Sequence, residues 1–431
     1  MERSSEIVRL ERIFEILPDE RLLETLCRAR KKKRNDYPLE ALWRAVLAGI
    51  VLCHETIAKV IRELKRNKEL RQVCGFDPLP GERAVPPECV FLRFMRRLFA
   101  HEALVNTMFD ELLRRVAKLL PDFARRLAID SKALPVLGPR PADADVGTKS
   151  YEGEEDGETA LKKVKTWVGY KLHLVVDANY ELPIAYEVTR ASEADSPRLM
   201  ALIESLGEKH PELFERVETA AADRAYDDGG DKEALWDEGI VPLIPPRDLW
   251  TGKKSGGSMR TLDPRRSDTI YIGPTGEVCC KVAPFQPEAS KVYATMQFMG
   301  FEKERGTLKF RCPAAAFGLE CKNRAACRCR PTVREGKHGR TVRIPLSCDP
   351  RLFTPFYSHR RRFRTAYKKH TSVERVNSRL DNVYGFERSF ARSRSKMALR
   401  VGLALIVMLA TAVAWIEAGK KENVRCLLRA A

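Results

Sequence analysis

The sequence contains no apolar run long enough for a bilayer. The longest, Val401 to Ile416 (VGLALIVMLATAVAWI), has 16 residues, against the roughly 20 that a span requires. It reads instead as a buried helix. A secretory leader is also missing, because MERSSEIVRLERIF is charged throughout and has no apolar central region. The expectation is a cytoplasmic protein with no membrane attachment. Nor do the 12 cysteines look like a disulfide framework, since half stand singly, at Cys27, Cys53, Cys74, Cys89, Cys348 and Cys426. They are expected to be reduced thiols. Internal repeats are absent as well.

What the chain does have is positive charge. Lysine and arginine number 77 against 59 acids, a formal net charge of +18. The basic residues bunch at Arg28 to Arg34 (RARKKKR) and His359 to His370 (HRRRFRTAYKKH). Either run alone can be a solvated face, but together with the global excess they suit a polyanionic partner, and nucleic acid above all. At about 100 to 200 residues per domain, 431 residues allow two to four domains and a sizeable core.

Up to about residue 115 no strand is convincing. Apolar residues recur at helical spacing in Leu39, Leu42, Trp43, Val46, Leu47 and Ile50, and again in Ile57, Val60, Ile61 and Leu64. Residues 1–115 therefore read as an all-helical N-terminal domain. Within it, Cys89 to Leu98 (CVFLRFMRRL) sets Arg93, Arg96 and Arg97 beside apolar neighbours. That pattern fits a helix lying on DNA phosphates, and equally an ordinary amphipathic surface helix.

From about 124 the pattern turns to short β-rich runs. LAID (Leu127 to Asp130), WVGYKLHLVVD (Trp167 to Asp177) and LPIAYEVT (Leu182 to Thr189) read as strands, the last two as a hairpin. Asp195 to Leu206 reads as a helix, VETAAAD (Val217 to Asp223) as a strand, Lys232 to Glu238 as a helix and Ile240 to Ile244 as a strand. The order β-β-β-α-β-α-β is that of an RNase H-like half-domain. Pro139 to Lys165, acidic and glycine-rich, reads as a flexible loop. The expected fold class is α/β, with a mixed sheet flanked by helices in an RNase H-like core. Its first part spans 124–249 and its second, helical from about 366, spans 351–420. Residues 250–350, loop-like and then β-like with a cysteine cluster, look like an insertion subdomain interrupting that core.

Two acids close apolar strands in this reading: Asp130 in AIDSKAL and Asp223 in AADRAYDD. Such an acid is often only a turn residue or a helix N-cap. A third, Glu374, lies in YKKHTSVERVNSRL, where Val373, Val376 and Leu380 form one face while Glu374, Asn377 and Asp381 project from another. Thr371 and Glu374 also fit a T-x-x-E capping box, which would turn Glu374 back onto the helix start. Three such acids suit phosphodiester chemistry. Two divalent cations about 3.5 to 4 Å apart activate the attacking oxygen and stabilise the leaving one, and Mg²⁺ prefers carboxylate oxygens on rigid elements.

At AIDSKAL, VGYKLHLVVDANYELPIAYEVTRAS, AADRAYDD and YKKHTSVERVNSRLDNVYG the chain resembles the DDE transposases of bacterial insertion elements, of the IS4, IS5 and IS1182 groups. The resemblance extends to RNDYPLEALWRAVLAGIVL, NKELRQVCGF and VPPECVFLRFMRRL. It implies that Asp130, Asp223 and Glu374 hold two Mg²⁺ or Mn²⁺ ions. It also implies cleavage at the element's terminal inverted repeats, followed by attack of the freed 3′-hydroxyl on target DNA, within a homodimeric synaptic complex.

Residues 130 and 223 are 93 apart, and 223 and 374 are 151 apart. The long second gap fits an insertion in the core. The family pattern Tyr-x2-Arg-x3-Glu-x6-Lys is matched at Tyr367 and Glu374, whereas His370 stands at the arginine position and Asp381 at the lysine position. Basic neighbours Lys368, Lys369 and Arg375, with Arg361, Arg362 and Tyr367, are the expected DNA contacts of this segment. Lys171 and His173 alternate on one strand face and are second-tier candidates for lining the active sheet. Cys312, Cys321, Cys327 and Cys329 could hold a structural Zn²⁺ with Cys279 and Cys280 in reserve, although no C-x2-C knuckle is present; reduced thiols in a small irregular subdomain fit them too. Two rival readings stay open: a domesticated transposase that binds DNA without cutting it, and a host RNase H-like nuclease.

Overall fold

Seven helices open the chain in the computed structural model, which describes residues 4–30, 37–79, 84–152, 162–249, 259–262, 270–282, 292–318, 339–387 and 390–425. They are α1 (Ser5–Ile16), α2 (Glu20–Arg28), α3 (Leu39–Val51), α4 (Ile57–Arg66), α5 (Lys68–Cys74), α6 (Glu88–Phe99) and α7 (Glu102–Leu119). Local chemistry sets their ends. The hydroxyl of Thr56 accepts from the Lys59 amide at the start of α4, and the Asn67 carboxamide accepts from the Leu70 amide at the start of α5. Helix α5 stops at Gly75, whose φ of +91° is the left-handed conformation glycine tolerates. The apolar spacing read from the sequence is the spacing that is buried: Leu39, Leu42, Trp43, Val46 and Leu47 on α3, and Val60, Ile61 and Leu64 on α4.

Strands β1 (Arg126–Pro135), β2 (Asp145–Glu152), β3 (Lys162–Asp177) and β4 (Pro183–Arg190) follow. The long strand β3 is the axis of this sheet. Its C-terminal half pairs antiparallel with β1 on one edge and with β4 on the other, while its N-terminal half pairs with β2. Helices α8 (Ser196–Lys209) and α9 (Pro211–Phe214) come next.

Contacts within the chain define two units, the first comprising Met1–Val217 with His370–Ala431 and the second Glu218–Lys369. The second begins with β5 (Thr219–Ala222), α10 (Gly229–Asp237) and β6 (Val241–Leu243), a β-α-β turn whose strands run parallel. Two small antiparallel sheets follow, built from β7 (Arg260–Thr261), β8 (Ile270–Ile272), β9 (Val278–Val282) and β10 (Val292–Thr295), then from β11 (Gln297–Glu302), β12 (Thr307–Arg311) and β13 (Thr341–Pro345). Helix α11 (Pro313–Phe317) lies between the last two strands, and α12 (Arg361–Tyr367) closes the unit. Ile270, Val278, Leu308, Phe310, Ile344, Phe353 and Tyr357 form its core.

The chain then returns to the first unit as α13 (Thr371–Asn382) and α14 (Arg394–Glu417). Helix α14 packs on α1, α3, α7 and β4. By length and composition it is apolar enough to cross a membrane, yet 83% of its apolar window is buried inside the fold. The expected buried helix is thus present, and longer than its apolar run.

Two expectations need correcting. The segment 139–165 is not one loop, since β2 and the start of β3 occupy much of it as a paired ribbon. Backbone pairing overrides its polar, glycine-rich composition, and Gly147 has a local reason: a Cβ there would meet the Trp167 ring at 2.3 Å. Asp130 does not end its strand either. Strand β1 continues to Pro135, because Ser131 to Leu134 keep their ladder with His173 to Tyr170.

Candidate active site

The register of β1 on β3 sorts the candidate residues onto two faces. Directly opposed residues of an antiparallel pair share a face. Asp130 lies opposite Leu174 and Lys132 opposite Leu172, whereas Ser131 lies opposite His173 and Ala133 opposite Lys171. Asp130 and Lys132 therefore share one face, and Lys171 and His173 share the other. The alternation read for Lys171 and His173 is correct, but they do not line the face that carries Asp130.

On the Asp130 face, α13 lies against β1 and is fixed by three contacts from one stripe of side chains. The His370 ring bonds the Ile129 carbonyl through Nε2 at 3.0 Å. Two turns further on, the Asn377 Nδ2 donates to Asp130 Oδ2 at 3.1 Å. Asp381 takes the Lys132 ammonium in an ion pair whose side chains are only 25% and 11% exposed. By helical spacing Glu374 belongs to the same stripe, between His370 and Asn377.

The capping-box alternative for Glu374 is absent, because α13 follows directly on the 3-10 turn Lys368–His370 and no side chain caps its start. Glu374 is exposed and makes no hydrogen bond or ion pair among the described residues. Asp130 is half-buried, and its Oδ1 accepts from the Ser131 amide at 2.8 Å.

Asn377 shares the Glu374 face in the sequence, but its contact with Asp130 is visible only in the structure. It is 9% exposed, and its Oδ1 is buried with no hydrogen-bond partner. A residue without a signal in the sequence is Glu181, in the turn between β3 and β4. Its 5% exposed carboxylate takes Arg375 at 2.6 Å and also Arg379, clamping α13 from its far side. Arg375 further donates to the Thr371 hydroxyl at 2.9 Å. The guanidinium expected to meet DNA is thus engaged within the protein.

The opposite face holds a part-buried polar cluster centred on Asp195. Its carboxylate accepts from Lys171 Nζ at 2.9 Å and from the Ser131 hydroxyl at 3.0 Å. Lys171 also donates to the Glu193 carbonyl at 2.7 Å. His173 is fully buried, with Nε2 3.0 Å from the Thr189 hydroxyl and Nδ1 3.8 Å from Asp195. Burial pushes its imidazole down to about 4, against the upward pull of the Asp195 charge.

Asp223 belongs to the second unit. It follows β5, and its Oδ1 accepts from the Ala225 amide at 2.8 Å, so it caps the 3-10 turn Arg224–Tyr226. The turn is anchored by Asp227, fully buried, which accepts from Lys232 Nζ at 2.5 Å, from Arg351 at 2.8 Å and from the Arg247 amide at 2.6 Å. Desolvation pushes the Lys232 ammonium below its usual range despite that partner.

The remaining candidates are spread out. Arg93 and Arg96 are exposed and Arg97 half-exposed on the outer side of α6, whose Phe91, Phe94 and Leu98 point inward. Arg361, Arg362, Lys368 and Lys369 are exposed along α12 and the turn after it. Tyr367 stacks on Phe363, with ring centroids 6.1 Å apart, and joins the cluster of Ala221, Leu243 and Phe363. Of the expected zinc ligands, Cys321, Cys327 and Cys329 lie outside the described residues, and Cys312 is half-exposed. Cys279 is buried, which raises its thiol pKa. Among the described residues, no group of three or more His, Cys, Asp or Glu is gathered to hold a metal.

A family model described as the transposase DDE domain matches residues 121–410. The putative transposase of insertion sequence element IS402 from Burkholderia cepacia is 31% identical over 145 residues, 31% of this chain and 57% of that protein. The chain thus spans a little over half the length of that relative. A cryo-EM structure of piggyBac transposase in a synaptic complex with hairpin DNA aligns with a TM-score of 0.40 and 10% identity, over 98% of this chain and 78% of that one. A likeness so slight carries no argument.

Proposed function

The chain belongs to the transposase DDE domain family, and from that premise we propose that it moves a DNA element, cutting DNA at the element's ends and joining the freed 3′-hydroxyl to target DNA. The observation that supports this reading is the docking of α13 on β1 through His370 and Asn377, since Glu374 lies on the helix stripe that makes those contacts. Asp130, Glu374 and Asp223 are the proposed carboxylates. The strand order from β1 to β6, with α8 and α10, reads as an RNase H-like core. The N-terminal helices read as a DNA-binding region and residues 250–350 as an insertion.

The donor set of the first unit suits a hard divalent cation such as Mg²⁺ or Mn²⁺. Asp130 and Glu374 offer carboxylate oxygens, Glu374 is unpaired, and Asn377 Oδ1 is a buried acceptor without a donor. When bound, such ions generate an attacking oxygen nucleophile and neutralise charge on the leaving oxygen. The protein's own part is rigidity. Asn377 and the Ser131 amide fix the two oxygens of Asp130, while Glu181 and His370 hold the helix that presents Glu374. The basic surfaces of α6 and α12 suit the DNA backbone, a cytoplasmic location fits such a substrate, and joining two ends fits a homodimer.

Cleavage of DNA carrying the element's own ends, in Mg²⁺ or Mn²⁺, tests the reading. The variants Asp130→Asn, Asp223→Asn and Glu374→Gln should each lose cleavage while still binding DNA. Cutting by any of them at a rate comparable to the parent overturns its assignment. DNA binding without metal-dependent cleavage by the parent protein would leave only a binding function.

A further inference from the structure

We propose that Asn377 is a further member of the metal centre, holding Asp130 with its amide nitrogen and turning its carbonyl oxygen toward the hydrated cation. The inference rests on the reading of Asp130 and Glu374 as metal-binding carboxylates. Three observations carry it. The Asn377 side chain is 9% exposed and lies one turn beyond Glu374, on the stripe that meets β1. Its Nδ2 donates to Asp130 Oδ2 at 3.1 Å. Its Oδ1 is buried without a donor.

Reversing the amide would not resolve the orphan. It would set Oδ1 against the Asp130 carboxylate, acceptor facing acceptor, and bury the NH₂ group in its place. A buried carbonyl left unpaired is destabilising, and proteins avoid it unless something else supplies the partner. Beside a carboxylate assigned to a cation, that partner is the cation or one of its waters. Asn377 Oδ1 accepts from such a water or binds the ion, as hard-cation sites routinely employ carboxamide oxygens. Holding Asp130 by Nδ2 also fixes which carboxylate lone pairs remain for the metal, the usual work of groups around a metal ligand.

A purely structural role makes a different forecast, and two near-isosteric variants separate them. Asn377→Leu removes both the donor to Asp130 and the orphaned acceptor. Asn377→Asp keeps the shape but exchanges the donor to Asp130 for a second carboxylate, whose repulsion a bound cation relieves and whose charge strengthens the site for it. Mn²⁺ affinity is measured on the metal-free, DNA-free full chain by electron paramagnetic resonance of the free ion, alongside thermal melting. The expected result is that Asn377→Leu binds Mn²⁺ about ten-fold or more weakly with a melting temperature no lower than the parent's, while Asn377→Asp binds it as tightly or more tightly. The proposal is overturned if Asn377→Leu leaves Mn²⁺ affinity unchanged, or if both variants weaken it. Should Asn377→Leu not fold, weaker binding by Asn377→Asp alone overturns it. Absence of Mn²⁺ binding by the parent protein strikes the metal reading itself and this proposal with it, whereas parental binding that Asn377→Leu does not alter strikes Asn377 only.

Discussion

Replacing Glu181 by glutamine tests how α13, and with it Glu374, is kept in place. The Glu181 carboxylate is 5% exposed and shared by two arginines of α13 that differ in setting. Arg379 is 14% exposed, whereas Arg375 is 51% exposed. A half-exposed pair contributes at most about 1 kcal/mol once solvent screening is counted. Removing one partner of a desolvated pair costs about 3 to 5 kcal/mol, because it leaves an uncompensated buried charge.

Glutamine keeps an acceptor oxygen for Arg379, so Glu181→Gln should destabilise the first unit by about 3 kcal/mol, nearly all of it through Arg379. Double-mutant cycles in guanidinium denaturation resolve the shares. Glu181→Gln with Arg379→Met should show a coupling of about 2 kcal/mol or more, and Glu181→Gln with Arg375→Met less than about 1 kcal/mol. Equal couplings, or a total loss under about 1 kcal/mol, would refute the view that one buried ion pair holds the helix.

The Lys132 and Asp381 pair joins the strand of Asp130 to the helix of Glu374. Lys132→Asp and Asp381→Lys should each destabilise and slow cleavage, and the double exchange should recover at least about 1 kcal/mol of the summed loss; no recovery would mean that the two groups do not act as a pair. His173 makes stability depend on pH in a set direction. Its imidazole takes up a proton near the ordinary 6.5 when unfolded and only near 4 when folded, so the unfolded chain binds more protons in that window. Stability should therefore fall as pH drops from about 6.5 to 4, by at most about 1.4 kcal/mol per pH unit. His173→Gln, which can keep the Thr189 contact, should flatten that slope in urea titrations at several pH values, and an unchanged slope would assign the proton elsewhere.

Much of this was legible because burial writes a period into the chain. The α3 and α4 stripes, the hairpin of β3 and β4, the strand β5 and the apolar body of α14 all follow from apolar residues at spacing 3.6 or 2, or in continuous runs. What stayed hidden depends on pairing. Strand β2 has few apolar residues and is defined by backbone bonds to β3. Ser131, Lys132 and Ala133 look like the end of a strand, until the ladder opposite them is known. Register alone reveals that Lys171 and His173 turn away from Asp130.

The site divides in the same way. Glu374 announced itself through a motif, and its stripe named Asn377 and Asp381 as companions. Which strand atoms they touch is a long-range fact, separated by 247 and 249 positions in the chain. Glu181 gave no signal, being one acid in a short turn. The departures from the family pattern also make sense only in space: His370 grips a backbone carbonyl, and Asp381 is answered by a lysine from the neighbouring strand.

Helix α14 has a consequence for how the protein is made. Its partners α1, α3 and α7 leave the ribosome first, but the surface they pack against ends at Glu417. The opening helices must keep the sides that α14 covers exposed while the entire second unit is synthesised. A translation product stopped before Arg394 would expose those sides permanently and should be a target for chaperones and proteases, not a DNA-binding fragment.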